Sequence, residues 1–475
     1  MSTRPGEQHD KPDGTTDVSN LTAQLASFIH DVQVPAAACE RAKKALLDTV
    51  GVMLSGASSE VASPLTKYLQ DHHRGSGSPI LGTSLNAPAE IAAMINGTFG
   101  HALDFDDGVV SAPVHPSSVV VAALLADTRT LSGKSLLSAY VVGVEVAVKL
   151  AVAIGIEHYH HGWHGTGTLG IFGAVAALAH ARRLDSALTQ NAFGLAASMT
   201  SGVQRNFGTM TKPLHAGWAA RNAVVAVELS CAGFSAALDA LEAENGFFAV
   251  YGNAASDPRR VLPELGNPYT VVDPGLSLKR YACCYASHRP IEGLLALRKE
   301  LGLSQENVES VRCVLAPGSM RALIYPRPRT GLEGKFSLEY ALAAGVIDGD
   351  YTLWSFSDEA VTRPAAQALL PRITAVEDPR CAAGDPHAAT RGPSRRGFVE
   401  VHVKTRDGKN AMRRVDKLPG SPDQELSWED VRAKFLDCAK AANLNVDRAQ
   451  TAFDRLARVE DCTNLPDVLK LLQQQ

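Results

Sequence analysis

Three times in the first half of the chain, a polar turn carrying a His or a Lys beside Pro or Gly runs directly into a long apolar stretch with helical spacing. His115–Pro116 precedes Val119, Val120, Ala122, Leu124 and Leu125. The segment GWHGTGTLG, Gly162–Gly170, leads into Ile171, Phe172, Val175, Ala176, Leu178 and Ala179, with Thr166 or Thr168 as the expected N-cap. TMTKPLHAGWAARN, Thr209–Asn222, leads into Val224, Val225, Val227 and Leu229, with Gly233 as the stop. Proline suits the first helical position, where its missing N–H is no loss, and it pushes the residue before it toward extended geometry. Pro213 therefore puts Lys212 at a helix mouth, where unpaired N–H groups favour an anion and disfavour a cation. An oxyanion held between Lys212 and those N–H groups would resolve the conflict; a solvated surface lysine is the plainer alternative. If the three mouths converge, the protein holds a small molecule with several negative charges.

A chain of 475 residues is too long for one ordinary core, so two domains are expected. Lys and Arg number 46 against 50 Asp and Glu, and there is no basic run, so neither nucleic acid nor an anionic membrane is an expected partner. No apolar stretch reaches 18 uninterrupted residues and the first residues lack an apolar signal core, which reads as cytoplasmic, or mitochondrial in a eukaryotic source. Eight scattered cysteines without a CxxC pair suit a reducing compartment and argue against a disulfide framework or a zinc knot.

Taken in order, residues 1–18 read as a disordered tail and 19–275 as an all-α bundle domain. Residues 276–418 read as a smaller α+β lid domain, with a strand at Val308–Pro317, a helix at Lys335–Gly349 and a strand pair joined at Asp407–Gly408. Residues 419–475 read as helices returning to the first domain, so the fold class is mainly α. A further helix is expected at Ala236–Leu241, and residues 378–396 look like a surface insertion.

Two clusters have metal-like composition. HALDFDDGVV, His101–Val110, places three carboxylates in four residues; the Asp104–x–Asp106 spacing is not completed by the Gly–x5–Glu of a calcium loop, and one Asp there suits an acid/base partner for His115. HYHHGWHG, His158–Gly165, has four histidines, but without HExxH spacing on a helix, so no metal is expected.

GWHGTGTLG, NFGTMTKPLHAGWAARN, LKRYACC and KFSLEY together resemble the MmgE/PrpD family over nearly the whole chain, from about Leu21 to Leu472. That family includes 2-methylcitrate dehydratases, cis-aconitate decarboxylases and iminodisuccinate epimerases. The resemblance implies a helical domain with an inserted lid, a homodimer, no metal or organic cofactor, and a small anionic carboxylate substrate held between the domains. Carried over by motif, the implied catalytic residues are His115, Asp104, Tyr340 and His164, and the implied substrate-binding residues are Lys212, Lys279 and His164. Gly165 stands where the family usually has proline, Gly108 where decarboxylases of the animal type have threonine, and Cys284 where those enzymes carry a histidine.

The family's shared chemistry moves a proton at a carbon next to a carboxylate, which requires cationic groups to offset the charge that builds there. In this reading Lys212 and Lys279 supply that charge from an exposed cleft, a neutral His115 moves the proton with Asp104 orienting it, and Tyr340 or His164 handles a second proton. A lyase on a citrate- or aconitate-like tricarboxylate, an epimerase of an imino- or amino-dicarboxylate, and a non-catalytic helical scaffold all remain open at this point.

Overall fold

The computed structural model describes residues 19–73, 76–127, 131–385 and 396–474; the expected tail at 1–18 and residues 386–395 of the expected insertion lie outside them. The chain is mainly α-helical. It begins with α1 (Leu21–Asp31), α2 (Ala36–Gly56) and α3 (Ala62–His72), a two-residue strand pair β1 (Ser78–Pro79) and β2 (Asn86–Ala87), α4 (Ala89–Ala102) and the short β3 (Gly108–Val109). Then follow α5 (Pro116–Ala126), α6 (Gly133–Ile154), α7 (Ile156–His160), α8 (Gly165–Arg182), α9 (Ser186–Ala197), α10 (Thr211–Cys231) and α11 (Phe247–Tyr251).

Helices α4, α5, α6, α8 and α10 are apolar on nearly every face, the signature of helices in the middle of a bundle. Small residues let them approach closely. A Cβ at Gly97 of α4 would come within 2.9 Å of the Gly217 Cα of α10, and one at Gly173 of α8 within 2.6 Å of the Gly143 carbonyl of α6. Among the described residues α6 is the one helix long and apolar enough to cross a membrane, yet it runs through the bundle core with Tyr140, Val144 and Leu150 fully buried.

The chain leaves the bundle through β4 (Leu276–Ser277), which pairs antiparallel with β3. The lid then contains α12 (His288–Leu301), β5 (Val308–Leu315), α13 (Gly331–Gly334), α14 (Leu338–Asp348), α15 (Asp358–Thr362), α16 (Pro364–Leu369), β6 (Ile373–Glu377), β7 (Val399–Thr405) and β8 (Asn410–Val415). Its sheet has the order β6-β5-β7-β8, parallel only at β5–β6, and α12 and α14 cover it. The last helices, α17 (Trp428–Ala441), α18 (Val446–Leu456) and α19 (Leu465–Leu469), return to the bundle. Gly51 of α2 faces Phe435 of α17, where an added Cβ would meet the ring at 2.9 Å.

Two local expectations differ from the structure. The Ala-rich segment 236–241 forms turns rather than a helix, because its N–H groups are taken from outside: Ala236 N–H donates to Asn191 Oδ1 (2.6 Å) and Leu241 N–H to Thr22 Oγ1 (3.4 Å). Helix α8 starts at Gly165 with His164 as its N-cap residue, while Thr166 Oγ1 accepts the His115 N–H (3.1 Å) and Thr168 Oγ1 pairs with His158 Nε2 (2.7 Å).

Candidate active site

The three helix mouths converge. His115 precedes α5, His164 precedes α8 and Lys212 sits in the first turn of α10, and all three line one cavity between bundle and lid, about 850 Å³ including its open mouth. Asp104 and Lys279 also line it, and Cys284, Arg321 and Phe336 face it from the lid.

The conflict posed by a cation at a helix start is resolved by a side chain of the protein itself. Lys212 Nζ donates to Asp104 Oδ1, and Lys279 Nζ reaches Asp104 Oδ2 at 3.0 Å and the Asp104 carbonyl at 2.8 Å. Lys212 also lies over the rings of Phe336 (5.0 Å) and Phe207 (5.7 Å). Both lysines are buried, which corrects the expectation of an exposed cleft: Lys212 is 4% exposed and Lys279 0%. Burial alone would raise Asp104, but the two ammonium groups outweigh it and hold its carboxyl well below the usual range. Lys279 is raised in turn, because Asp104 and Asp106 more than offset its desolvation. Asp104 adopts φ +51°, a conformation that aims its carboxylate inward at both lysines and costs a non-glycine residue some strain.

The carboxylate nearest His115 is Asp106, which corrects the pairing with Asp104. Asp106 Oδ2 accepts from His101 Nδ1 at 2.8 Å, and its Oδ1 lies 3.8 Å from His115 Nδ1. His115 Nδ1–H donates to the Asp107 carbonyl, which leaves Nε2 as the nitrogen free for the cavity. Burial first, and then the Lys279 charge, push the His115 pKa well below its ordinary value, so the ring is neutral. Asp107 itself is pushed up to about 7 by burial; Ser117 donates to it and shares a 2.6 Å contact with Tyr140.

Sequence reasoning missed four members of this region. His101 is buried between His115 (ring centroids 5.0 Å) and His164 (5.4 Å), and His215 touches His164. Lys434 of α17 binds Asp48 (2.8 Å) and the carbonyls of Phe105 and Lys279 (both 2.9 Å), so the returning helix fixes the acidic loop. Arg321 donates to the His160 carbonyl (2.6 Å) and has no carboxylate partner among the described residues. His215 had a visible signal, since it follows Lys212 by three residues and so shares its helix face.

Tyr340 does not join them. It lies on α14 in the lid core, 0% exposed, with its hydroxyl donated to the Ser355 carbonyl, and it does not line the cavity. The histidine cluster also splits: His158 is tied to the Tyr251 carbonyl (2.8 Å) and Thr168, His160 pairs with Glu157 (2.9 Å), and of the four only His164 enters the site. His101, Asp106 and His115 bring three donor atoms within 4.8 Å of one another, close enough for a cation. However, the Lys279 ammonium lies 4.0 Å from Asp106 Oδ1, and His101 and His115 each already commit Nδ1 to a protein oxygen, so these residues fit a proton-handling cluster better than a metal site.

A second cavity, beside α6, is bordered by Lys149, Arg259 and Arg260 and by Asp257, Glu264 and Asp273. There Lys149 and Arg259 each have a carboxylate close by, at Glu264 (3.6 Å) and Asp257 (2.8 Å), so it lacks the concentrated cationic charge of the first.

The MmgE/PrpD N-terminal domain matches residues 23–258 and the MmgE/PrpD C-terminal domain residues 281–457. The chain is 28% identical to the cis-aconitate decarboxylases of Mus musculus (95% of this chain, 94% of that protein) and Homo sapiens (95% of each). It is 24% identical to a cis-aconitate decarboxylase of Aspergillus terreus (96% of each). With both domains matched over nearly all of the described bundle and lid, this chain belongs to the MmgE/PrpD family.

Proposed function

We propose that the protein is a lyase that decarboxylates cis-aconitate or a closely similar tricarboxylate, transferring a proton to a carbon next to a carboxylate. The observation that carries this reading is one cavity in which a neutral His115 faces two lysines sharing a single carboxylate, together with an Arg321 that lacks one. Its relatives' names agree with it.

In such a reaction the bond to the departing carboxylate breaks and its electron pair forms the new C=C bond. The pair of the old double bond moves to the adjacent carbon and takes up one proton, so atoms and charge balance with release of CO2. Lys212, Lys279 and Arg321 bind the carboxylates and stabilise the charge that develops on them. His115 Nε2 delivers the proton. An anion bound beside it offsets Lys279 and favours the protonated ring, so substrate binding and proton uptake reinforce each other. His164, whose pKa is also held well below the ordinary value by burial and by neighbouring His101 and Lys212, serves as a neutral hydrogen-bonding group.

A second reading, epimerisation of an imino- or amino-dicarboxylate, draws on Cys284, a thiol facing the cavity where animal-type decarboxylases have histidine. Burial pushes this thiol up to about 11, so it offers neither charge nor a ready proton at neutral pH. Incubating the enzyme with cis-aconitate, citrate, 2-methylcitrate and iminodisuccinate-type compounds and following the products by NMR separates the readings. Loss of CO2 with formation of an unsaturated dicarboxylate supports decarboxylation. Hydration, dehydration or racemisation without CO2 loss overturns it.

A further inference from the structure

His215 is used by no step above, yet its Nδ1 lies 3.0 Å from the Nδ1 of His164, and both residues are buried. Two ring nitrogens at that distance need one N–H between them. Two would repel, and none would oppose lone pairs in a dry setting. The pair therefore shares a single proton, and its position decides whether the other nitrogen of His164 is a donor or an acceptor.

We infer that His215 is a positioning residue: its Nδ1–H donates to His164 Nδ1, so that His164 presents Nε2–H to a substrate carboxylate. The His164 ring is held in place for this. Its backbone N–H donates to the Gly202 carbonyl at 3.0 Å, His101 stacks on it at 5.4 Å and 26°, and Phe207 meets it edge-on at 5.0 Å. With Nδ1 committed to His215, Nε2 is the one ring nitrogen left for the cavity that His164 lines. Burial first, then His101 and the Lys212 ammonium, hold His215 down at about 4, and the same groups with His115 hold His164 well below its ordinary value; none of these neighbours is anionic, so both rings stay neutral. In a neutral pair an anionic ligand selects the arrangement that points N–H toward it. A Cβ added at Gly202 (φ +125°) would come within 3.2 Å of the His215 ring and 3.6 Å of His164 Cβ, so a glycine there leaves the pair its place.

This inference rests on the carboxylate reading of the cavity, and its test is built to fail separately from it. In 15N-histidine-labelled enzyme, with the His164 signals assigned by their loss in His164→Gln, His164 should show a protonated Nε2 and an unprotonated Nδ1, whatever the substrate proves to be. His215→Ala should lower kcat/KM about 10- to 100-fold, the scale of one hydrogen bond to a charged group, mainly through KM. His215→Asn, whose amide N–H can donate to the same nitrogen, should recover activity to within about fivefold and preserve the Nε2–H form. A proton found on His164 Nδ1 overturns the inference. So does a His215→Asn variant as impaired as His215→Ala with the same loss of Tm, which would make His215 a packing residue. If His215→Ala does not fold, the wild-type and His215→Asn spectra still decide. If no carboxylate is turned over at all, the function above fails while the tautomer remains directly measured.

Discussion

On the bundle side of the cavity each polar group has a partner of its own: Asp104 with Lys212 and Lys279, Asp106 with His101, His115 with the Asp107 carbonyl, and His164 with His215. On the lid side Arg321 is exposed and donates to the His160 carbonyl, with no carboxylate partner among the described residues, and Cys284 is a half-buried thiol. A preorganised wall costs no rearrangement when charge develops, so it suits the chemical step. A looser wall with one cation lacking an anion suits recognition of what varies between substrates. The departure at Cys284 also falls on this side, in keeping with a shared chemistry and a variable selectivity.

The largest effect expected from this contrast is on the bundle wall. Lys212→Met should lower kcat/KM by about 2–4 kcal/mol of transition-state stabilisation, roughly 30- to 1000-fold. It should also lower Tm, because Asp104 loses one of two counter-charges in a buried setting. Near-normal steady-state kinetics would show that the wall does not hold developing charge. On the lid, Arg321→Gln should instead raise KM about 10-fold and leave kcat within about threefold, as expected where ground state and transition state lose binding equally. A drop confined to kcat would place Arg321 with the chemistry and erase the distinction between the walls.

The pH dependence sharpens the contrast through Asp107. Its folded-state pKa, about 7, lies above the unfolded value near 3.8, so the folded protein binds more protons between those values and loses stability as pH rises through that window. The difference of about 3 units corresponds to at most about 4 kcal/mol. Asp107→Asn removes this penalty, so its Tm advantage over wild type in calorimetry should grow from pH 5 to pH 8. A constant difference would contradict a raised Asp107. The smallest effect belongs to Tyr340→Phe, which should keep activity within about twofold and lose about 1 kcal/mol of stability with the hydrogen bond to Ser355. A large kinetic defect would bring Tyr340 back into the site.

How much of this was legible follows from how local each signal is. The helix mouths could be read because Pro116, Gly165 and Pro213 stand next to the functional residue in sequence, and the capping rules act over a few residues. That the mouths meet at one cavity depends on the close packing of α4 on α10 and α6 on α8, which the small residues permit but do not announce. The pairing of Asp106 rather than Asp104 with the histidines depends on a left-handed Asp104 and on Lys434 gripping the loop from more than 300 residues away. Arg321 sits between lid strands in a segment without helical or strand periodicity, so nothing nearby marked it. Tyr340 was assigned to the site by motif, whereas its own neighbours, Leu338, Ala341, Leu342 and Ala344, describe a buried helix.

If His115 Nε2 carries the proton on the preorganised wall, solvent isotope labelling reads that step directly. With cis-aconitate in D2O, followed by 1H and 13C NMR, the wild-type product should carry one deuteron at the carbon next to a carboxylate, allylic to the carbon that lost CO2. His115→Gln should slow its incorporation at least about 100-fold, the scale of one general acid–base group, with Tm little changed. Label entering at the wild-type rate in His115→Gln would contradict the claim and move the proton to another group in the cavity.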